Sequence, residues 1–322
     1  MKFLFLVISC ATIVGAWYYQ NPPYGPLKVT GKYITKQDGT PVHLRGLSLY
    51  VSGNPQGYPF YTNETMYKLK CYWNANAIRV PMSIENNGYL TNPDEEYAKI
   101  HNVVLIALAN GLYVIVDWHA FATHQAEAVK FFANISATFG SYPHILYELY
   151  NEPSWDLDWT QLKSYHSAII DAIRVNDPNN IIVAATPRSD QDVDIAAADP
   201  LNYTNIVYTM HYYTNLPDAN IQKAKTAISL GLPVFISEYG VCSAYGNGTV
   251  NYNASKAFWD FTDQNNLSYF SWALTDCDSC LCVLVNHANS SQVGDKTYWT
   301  ESGAYINKKL WGTDQGLICS VG

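Results

Sequence analysis

The sequence predicts a single α/β domain with the architecture of a (β/α)8 TIM barrel, preceded by a small N-terminal β-hairpin. The chain has 322 residues, 48% of them apolar, which is enough for one large core and near the size of a single barrel. Apolar runs with strand character recur about every 25 to 35 residues, each followed by a polar turn and a helical pattern. Eight such runs can be counted, so eight βα units are predicted.

The predicted elements follow in that alternating order. The stretch from Val29 to Val42 contains Asp38-Gly39, a typical hairpin turn, and is predicted to cap the barrel floor. The barrel strands are short apolar runs bounded by turn residues, with helices between them and a last helix near residues 298–311. These strands are predicted near residues 42–50, 76–82, 112–118, 145–150, 181–186, 206–212, 233–238 and 268–273.

The N-terminus indicates export. Residues 1–16 carry the basic Lys2, an apolar stretch and the small residues Val14-Gly-Ala16, a pattern typical of a secretory signal peptide. Its apolar run is short for a membrane span, and nothing later reaches about 18 uninterrupted apolar residues. We therefore expect residues 17–322 to form one secreted, extracellular domain. Seven Asn-x-Ser/Thr sequons fit a eukaryotic secretory route, at Asn63, Asn134, Asn202, Asn247, Asn253, Asn266 and Asn289.

The cysteines predict disulfides. Cys10 belongs to the predicted signal, so an even set remains for an oxidising compartment. The cluster Cys277-Asp-Ser-Cys-Leu-Cys282 could also indicate zinc, but no further Cys or His at ligand spacing completes a four-ligand site, so no metal is expected. Six cysteines allow 15 pairings, which the sequence leaves open: Cys71, Cys242, Cys277, Cys280, Cys282 and Cys319.

The net charge of −8 and the lack of a basic run argue against nucleic acid and anionic membrane surfaces as partners. A neutral polysaccharide is compatible with this charge. Nothing in the sequence indicates an obligate interface, so a monomer is the default expectation.

Two glutamates each follow a short apolar run that is predicted to be a buried strand. Glu152 follows the run that starts at Leu146, and Glu238 follows the run that starts at Pro233. A lone carboxylate at a strand end is more often a helix cap or a salt-bridge partner. A pair at the mouth of a barrel, however, suits cleavage of a bond between sugars. That reaction needs one carboxylic acid to protonate the leaving oxygen and one carboxylate to attack or support the anomeric carbon.

The sequence around these glutamates closely resembles glycoside hydrolase family 5, also called cellulase family A, from about Val29 to Trp311. Six blocks in the family's order carry the resemblance: Ala77-Ile-Arg-Val-Pro81, Val114-Ile-Val-Asp-Trp-His119, Tyr150-Asn-Glu-Pro153, Val207-Tyr-Thr-Met-His-Tyr-Tyr213, Phe235-Ile-Ser-Glu-Tyr-Gly240 and Phe270-Ser-Trp-Ala-Leu274.

The resemblance implies a role for each matching residue. Glu152 is expected to be the acid/base and Glu238 the nucleophile, about 5 Å apart, so that anomeric configuration is retained. Arg79, at the end of strand two, and Tyr213, at the end of strand six, are expected to keep Glu238 ionised. The resemblance also implies that four side chains contact the sugar in the −1 subsite: Asn151, His119, His211 and Trp272.

Three departures from the family pattern bear on specificity. Relatives carry a tryptophan where this chain has Val51, a second one where it has Ser189, and a sugar-binding lysine where it has Cys277. Because a stacked aromatic contributes about 1 kcal/mol, these changes predict a rebuilt minus-side cleft. Tyr50, Arg188 or Asp278 are candidate substitutes, and a shortened loop after His119 is expected to open the cleft.

The leading interpretation is a secreted retaining endo-β-1,4-glucanase of animal or other eukaryotic type, without metal or organic cofactor, acting on β-1,4-linked polysaccharide. A second interpretation keeps the mechanism but shifts the substrate to xyloglucan, glucomannan or mannan. A third, from another class, is a catalytically decayed carbohydrate-binding protein. The intact set of expected site residues favours an enzyme over the third.

Overall fold

The computed structural model describes residues 19–216, 218–313 and 319. The predicted signal peptide therefore lies outside the described residues. Within them, eight parallel strands close into a barrel in the order β10-β3-β4-β5-β6-β7-β8-β9, and a separate antiparallel pair, β1 and β2, precedes them. The predicted (β/α)8 barrel with its N-terminal hairpin is confirmed.

The structure gives the following bounds. The hairpin strands are β1 (Leu27–Thr30) and β2 (Tyr33–Lys36). The barrel strands are β3 (Arg45–Leu49), β4 (Ala77–Ser83), β5 (Tyr113–His119), β6 (Ile145–Glu148), β7 (Ile181–Ala184), β8 (Ile206–Tyr212), β9 (Val234–Tyr239) and β10 (Tyr269–Leu274). One main helix follows each: α1 (Asn63–Tyr72), α2 (Pro93–Asn110), α3 (Gln125–Phe139), α4 (Trp159–Arg174), α5 (Val193–Ala198), α6 (Ala219–Ser229), α7 (Tyr252–Gln264) and α8 (Glu301–Trp311).

The hairpin differs in detail from its prediction. It starts earlier, at Leu27, and its turn lies between Thr30 and Tyr33. The predicted Asp38-Gly39 turn does exist, because Gly39 N–H donates to the Lys36 carbonyl at 3.1 Å, but it leads only to an isolated bridge between Thr35 and Pro41. The hairpin's apolar side chains pack with inward residues of the barrel strands, such as Ala77 and Tyr113, so it closes the barrel floor as expected.

Strand alternation divides the buried residues into two layers. In β4, Ile78 and Val80 belong to the large core between the strands and the helices, whereas Ala77 joins the smaller core inside the barrel. Because side chains alternate along a strand, Arg79 faces the barrel interior with Ala77. The interior is thus apolar at the floor and charged nearer the mouth.

All six remaining cysteines are paired, which confirms the predicted disulfides. The pairs are Cys71–Cys319, Cys242–Cys280 and Cys277–Cys282. All three cysteines of the tight cluster, Cys277, Cys280 and Cys282, are therefore in disulfides and have no thiolate to bind zinc. Among the described residues, helix length and apolarity nowhere reach what a membrane crossing requires.

Candidate active site

Alternation places a charged layer inside the barrel. Arg79 in β4, Asp117 in β5 and Glu148 in β6 are all completely buried. Arg79 was expected at the end of its strand, but it is the third of seven residues in β4. It lies deeper than predicted because β4 continues through Pro81 to Ser83, where it still pairs with β5.

A register shift in β9 brings Glu238 into this layer. Thr209 of β8 pairs with Phe235, but His211, two residues later, pairs with Glu238, three residues later. The extra residue has the effect of a β-bulge, which re-aims the side chains that follow it. Ser237 and Glu238 therefore both contact interior groups, although they are neighbours in sequence: Ser237 Oγ lies 3.1 Å from His211 Nε2, and Glu238 reaches Arg79.

Arg79 is the centre of the charged layer. Its guanidinium lies 2.9 Å from Asp117 Oδ2 and 2.6 Å from Glu148 Oε2, and Nη1 donates to Glu238 Oε2 at 2.9 Å. Nη2 also donates to Asn151 Oδ1 at 2.7 Å. That bond uses the carbonyl oxygen of Asn151 and leaves its amide NH₂ group to donate elsewhere.

Glu238 has donors on both carboxylate oxygens. Arg79 holds Oε2, and the Tyr213 hydroxyl, from the residue after β8, donates to Oε1 at 2.5 Å. Hydrogen bonds and a cation at these distances favour the charged form of a carboxylate. Glu238 is thus oriented by two donors, and only 7% of its side chain is exposed.

Glu152 stands in a different environment. It lies four residues beyond the end of β6, where the strand was predicted to run to Tyr150, and 27% of its side chain is exposed. Its Oε1 lies 3.1 Å from His211 Nδ1. Burial raises the pKa of Glu152 above the usual value of 4.5, although His119 and Arg79 oppose the rise. Burial therefore biases Glu152 toward its protonated form, whereas both oxygens of Glu238 accept hydrogen bonds from fixed donors.

The two glutamates are close together. Ligand atoms of Glu152, His211 and Glu238 all lie within 4.8 Å of one another, which fits the expected spacing of about 5 Å. Such a triad also has donors suited to a cation. Both oxygens of Glu238, however, already accept hydrogen bonds from Arg79 and Tyr213, so the arrangement is satisfied as a carboxylate pair.

The two histidines are held neutral. Burial lowers the pKa of His119 and that of His211 to about 4 each. His119 Nδ1 donates to Asp117 Oδ2 at 2.8 Å, which leaves Nε2 as a hydrogen-bond acceptor facing away from that partner. The His119 ring also stacks on Trp272, with centroids 5.3 Å apart and an interplanar angle of 3°.

The structure brings together all eight residues that the sequence singled out. Each one has a direct contact with another, through the pairs Arg79–Glu238, Arg79–Asn151, Tyr213–Glu238, His211–Glu152 and His119–Trp272.

Sequence reasoning missed three buried acids, Asp117, Glu148 and Asp190. Burial raises the pKa of Asp117 to about 7 and also raises that of Glu148. Asp190 Oδ1 accepts from the Thr186 N–H at 2.6 Å, and Oδ2 lies 3.6 Å from His211 Nε2. A signal for the first two was available, because each interrupts an otherwise apolar strand run.

The three departures occupy distinct places. Val51 lines a cavity of about 260 Å³ beside His119 and Phe121. Cys277 is bonded to Cys282, so it cannot supply the polar donor that a lysine would. Ser189 lies in a left-handed turn, with φ of 54°, and its N–H donates to the Pro153 carbonyl at 2.9 Å.

Among the suggested substitutes, Tyr50 is the one whose contacts within the described residues include a residue of the site. Its ring lies 5.3 Å from that of Trp272. The contacts described for the other two are Asp278 with Asn286 and Arg188 with Asp192 and Trp155.

Comparison with known proteins identifies relatives over most of the chain. The endoglucanase of Clostridium saccharobutylicum is 35% identical over 298 residues, which cover 90% of this chain and 66% of the relative. Endoglucanase Z of Dickeya dadantii is 37% identical over 304 residues, 92% of this chain and 69% of the relative. The chain thus spans about two thirds of the length of these relatives. Both are bacterial and give no support to the expected eukaryotic origin.

Solved structures agree with the fold and with these relatives. The catalytic domain of Thermobifida fusca endoglucanase Cel5A superposes with a TM-score of 0.84 at 30% identity, covering 90% of this chain and all of that one. A variant of the same domain, 29% identical to this chain, was solved in complex with cellotetraose.

The family model described as cellulase, glycosyl hydrolase family 5, matches residues 35–278, a range that contains every candidate site residue. The chain therefore belongs to glycosyl hydrolase family 5, the cellulase family.

Proposed function

We propose that this protein is a retaining endo-β-1,4-glucanase that hydrolyses internal bonds of β-1,4-linked glucan. The observation that carries the proposal is the asymmetric carboxylate pair. Carboxylate oxygens of the two glutamates lie within 4.8 Å at the mouth of the barrel; Glu238 accepts hydrogen bonds from two donors, and Glu152 is more exposed with a raised pKa. Relatives that are named endoglucanases support the choice of substrate.

In the first step, protonated Glu152 gives its proton to the glycosidic oxygen while Glu238 attacks the anomeric carbon. The bond between that carbon and the leaving oxygen breaks, and a glycosyl ester of Glu238 forms. A separation below about 5.5 Å leaves no room for a water between the two carboxyls, so direct attack is favoured over inversion.

In the second step, the anionic Glu152 takes a proton from water, which attacks the same carbon and releases Glu238. Esterification removes the negative charge of Glu238, so the pKa of Glu152 falls at the moment when a base is required. The two attacks occur on opposite faces of the sugar, and the original configuration is restored.

The surrounding groups would hold the reacting sugar. The free amide NH₂ of Asn151 can donate to the 2-hydroxyl, a contact that strengthens as positive charge develops on the ring. His119 Nε2 can accept from a sugar hydroxyl, and the indole of Trp272 offers an apolar face. His119 is itself oriented by Asp117, so this acid acts as a positioning residue.

Export and a monomeric state belong to the same proposal. The support for export is the signal-like segment at residues 1–16 and the disulfides, which require an oxidising compartment. A monomer remains the default, with neutral polysaccharide as the partner.

Substrate choice is tested by the rate of reducing-sugar release from carboxymethylcellulose, mixed-linkage glucan, xyloglucan, glucomannan and mannan. We expect the cellulose-like polymers to give the highest rates, and Glu238→Gln to abolish release from all of them. A higher rate on another polymer would favour the second candidate substrate class, for which the aliphatic Val51 beside His119 is the relevant observation. Sugar binding without release by the unaltered protein would favour the decayed binder.

A further inference from the structure

An exposed tryptophan lies close to the proposed acid/base. Trp155 is three residues after Glu152 in the segment between β6 and α4, and it is 67% exposed, although tryptophan is usually well buried. The guanidinium of Arg188, from the segment after β7, lies over its ring at 5.8 Å from the centroid. The indole is therefore supported from one side and open to solvent.

The segments that carry these two residues are tied to each other. The Ser189 N–H donates to the Pro153 carbonyl at 2.9 Å. Arg188 is further held by Asp192, whose Oδ2 lies 3.3 Å from Nη1. Three consecutive non-glycine residues, Arg188 to Asp190, have φ between 54° and 59°. Such a left-handed turn is unfavourable for side-chain-bearing residues and persists where the surroundings hold it.

The inner end of the same turn contacts the site. Asp190 is completely buried, and its Oδ2 lies 3.6 Å from His211, which in turn contacts Glu152. The turn thus links Asp190, which lies beside His211, to Arg188, which lies over Trp155. The position of Trp155 relative to Glu152 is set by this network as well as by their closeness in sequence.

Trp155 and the stacked rings of Trp272 and His119 come from different parts of the barrel. Those rings stand on β10 and β5, which with β3 and β4 form four consecutive strands of the barrel, whereas Trp155 and Arg188 follow β6 and β7. A general acid must face the leaving oxygen. An exposed aromatic ring three residues after the acid, and on other strands than the ring expected under the reacting sugar, is a candidate contact for the leaving sugar.

We propose that Trp155, restrained by Arg188, is the stacking platform for the sugar on the leaving-group side of the cleaved bond. The inference rests on the proposed function, because it takes Glu152 as the acid. The proposal also changes the place of Ser189. The sequence predicts that this departure affects the minus-side cleft, whereas here it belongs to the leaving-group side. Trp155 then provides, from the neighbouring segment, an aromatic surface that the serine at position 189 cannot offer.

Two substrates distinguish binding of the leaving-side sugar from a general effect on the site. Cellotetraose places sugars on both sides of the cleaved bond, whereas an aryl β-cellobioside releases a phenol and places no sugar on the leaving side. We expect Trp155→Ala to lower kcat/KM for cellotetraose about tenfold and to change kcat/KM for the aryl cellobioside less than about twofold. Trp155→Phe should restore most of the activity, and Arg188→Ala should show a smaller decrease of the same pattern.

Trp311→Ala is the matched control, since Trp311 is a partly exposed tryptophan at the end of α8, and we expect neither substrate to be affected. Equal decreases on both substrates in Trp155→Ala, or no decrease on either, would overturn the platform. Turnover of the aryl cellobioside by the unaltered protein reports on the proposed function separately. If it is absent, calorimetric titration with cellotetraose still decides the inference, because Trp155→Ala must bind more weakly than Trp311→Ala.

Discussion

At the scale of single residues, the site depends on one cation shared among three acids. Arg79 is completely buried and contacts Asp117, Glu148 and Glu238. A single positive charge cannot compensate three buried carboxylates, and an uncompensated buried charge is neutralised by a shift of its pKa. Burial accordingly raises the pKa of Asp117 to about 7 and raises that of Glu148. The positive charge thereby remains available to Glu238.

The raised pKa of Glu152 predicts the alkaline limb of activity. In the proposed mechanism Glu152 is protonated in the first step, so kcat/KM for cellotetraose should fall as pH rises through its pKa, which lies above the usual 4.5. His119 and His211, with pKa values of about 4, are already neutral below that limb and cannot produce it. We expect Glu152→Ala to abolish the limb, as measured with an activated aryl cellobioside from about pH 4 to about pH 9.

The same variant distinguishes the two glutamates. A small anion such as azide needs no base, so it should restore turnover of the activated substrate in Glu152→Ala and yield a β-glycosyl azide. Glu238→Ala forms no glycosyl ester and should not yield that product. A β-glycosyl azide from Glu238→Ala alone would reverse the two roles.

What the sequence revealed about these residues depended on their position. Glu152 and Glu238 were recognisable because each follows a short apolar run and stands in a short matched block. Asp117 and Glu148 lie within strands, where the role of a single acid cannot be predicted until its partner is known. That partner, Arg79, is 38 and 69 positions away in sequence and becomes adjacent only through strand pairing. The fold must be in hand before the charged layer can be seen.

At the scale of elements, two irregular strands shape the mouth. The register shift in β9 turns Glu238 inward beside Ser237, and β10 has a comparable shift between Ser271 and Leu274, around Trp272. Sequence periodicity located both strands to within one residue but could not predict either shift, since an extra residue leaves the apolar run intact. Of the side chains in the proposed mechanism, Glu238 and Trp272 stand at these irregularities, whereas His119 and Asn151 lie on or after strands whose pairing is regular.

Close approach of β3 and β4 makes Gly46 irreplaceable. A Cβ atom at this position would lie 1.9 Å from the Ala77 carbonyl oxygen, which belongs to the paired strand. Gly46→Ala must force the strands apart in a closed barrel, and we expect a decrease of about 3 kcal/mol in the free energy of unfolding. Urea unfolding followed by circular dichroism measures it.

The control is another glycine without this constraint. Gly312 follows α8 with φ of −76°, and the nearest atoms to an added Cβ are 3.4 Å away. Gly312→Ala should therefore change stability by less than about 1 kcal/mol. If the two variants unfold at the same urea concentration, the close approach of β3 and β4 does not exclude a larger residue at position 46.

At the scale of the whole molecule, closure of the barrel brings distant parts of the chain together. β10 pairs with β3, so Tyr269 becomes a neighbour of Arg45 although most of the chain lies between them. The eightfold repeat predicted this closure, because a sheet of eight parallel βα units is a common barrel. The disulfide pairing could not be predicted in the same way, since any of 15 arrangements satisfies the count of cysteines.

Two of the three disulfides should differ in their effect on global stability. Cys71–Cys319 joins α1 to a point beyond α8 across 248 positions, whereas Cys277–Cys282 spans 5. If cross-links act mainly by restricting the unfolded chain, removal should cost about 5 kcal/mol for the long loop and about 2 kcal/mol for the short one. We expect the Cys71→Ala/Cys319→Ala double variant to unfold at much lower urea concentration than Cys277→Ala/Cys282→Ala, which serves as its control.

Neither bond involves a residue of the glutamate pair, so the Cys71→Ala/Cys319→Ala variant should keep its kcat/KM at low temperature. A larger decrease in stability on removal of the short bond would mean that it acts by holding the native loop after β10, and that restriction of the unfolded chain is not the dominant effect.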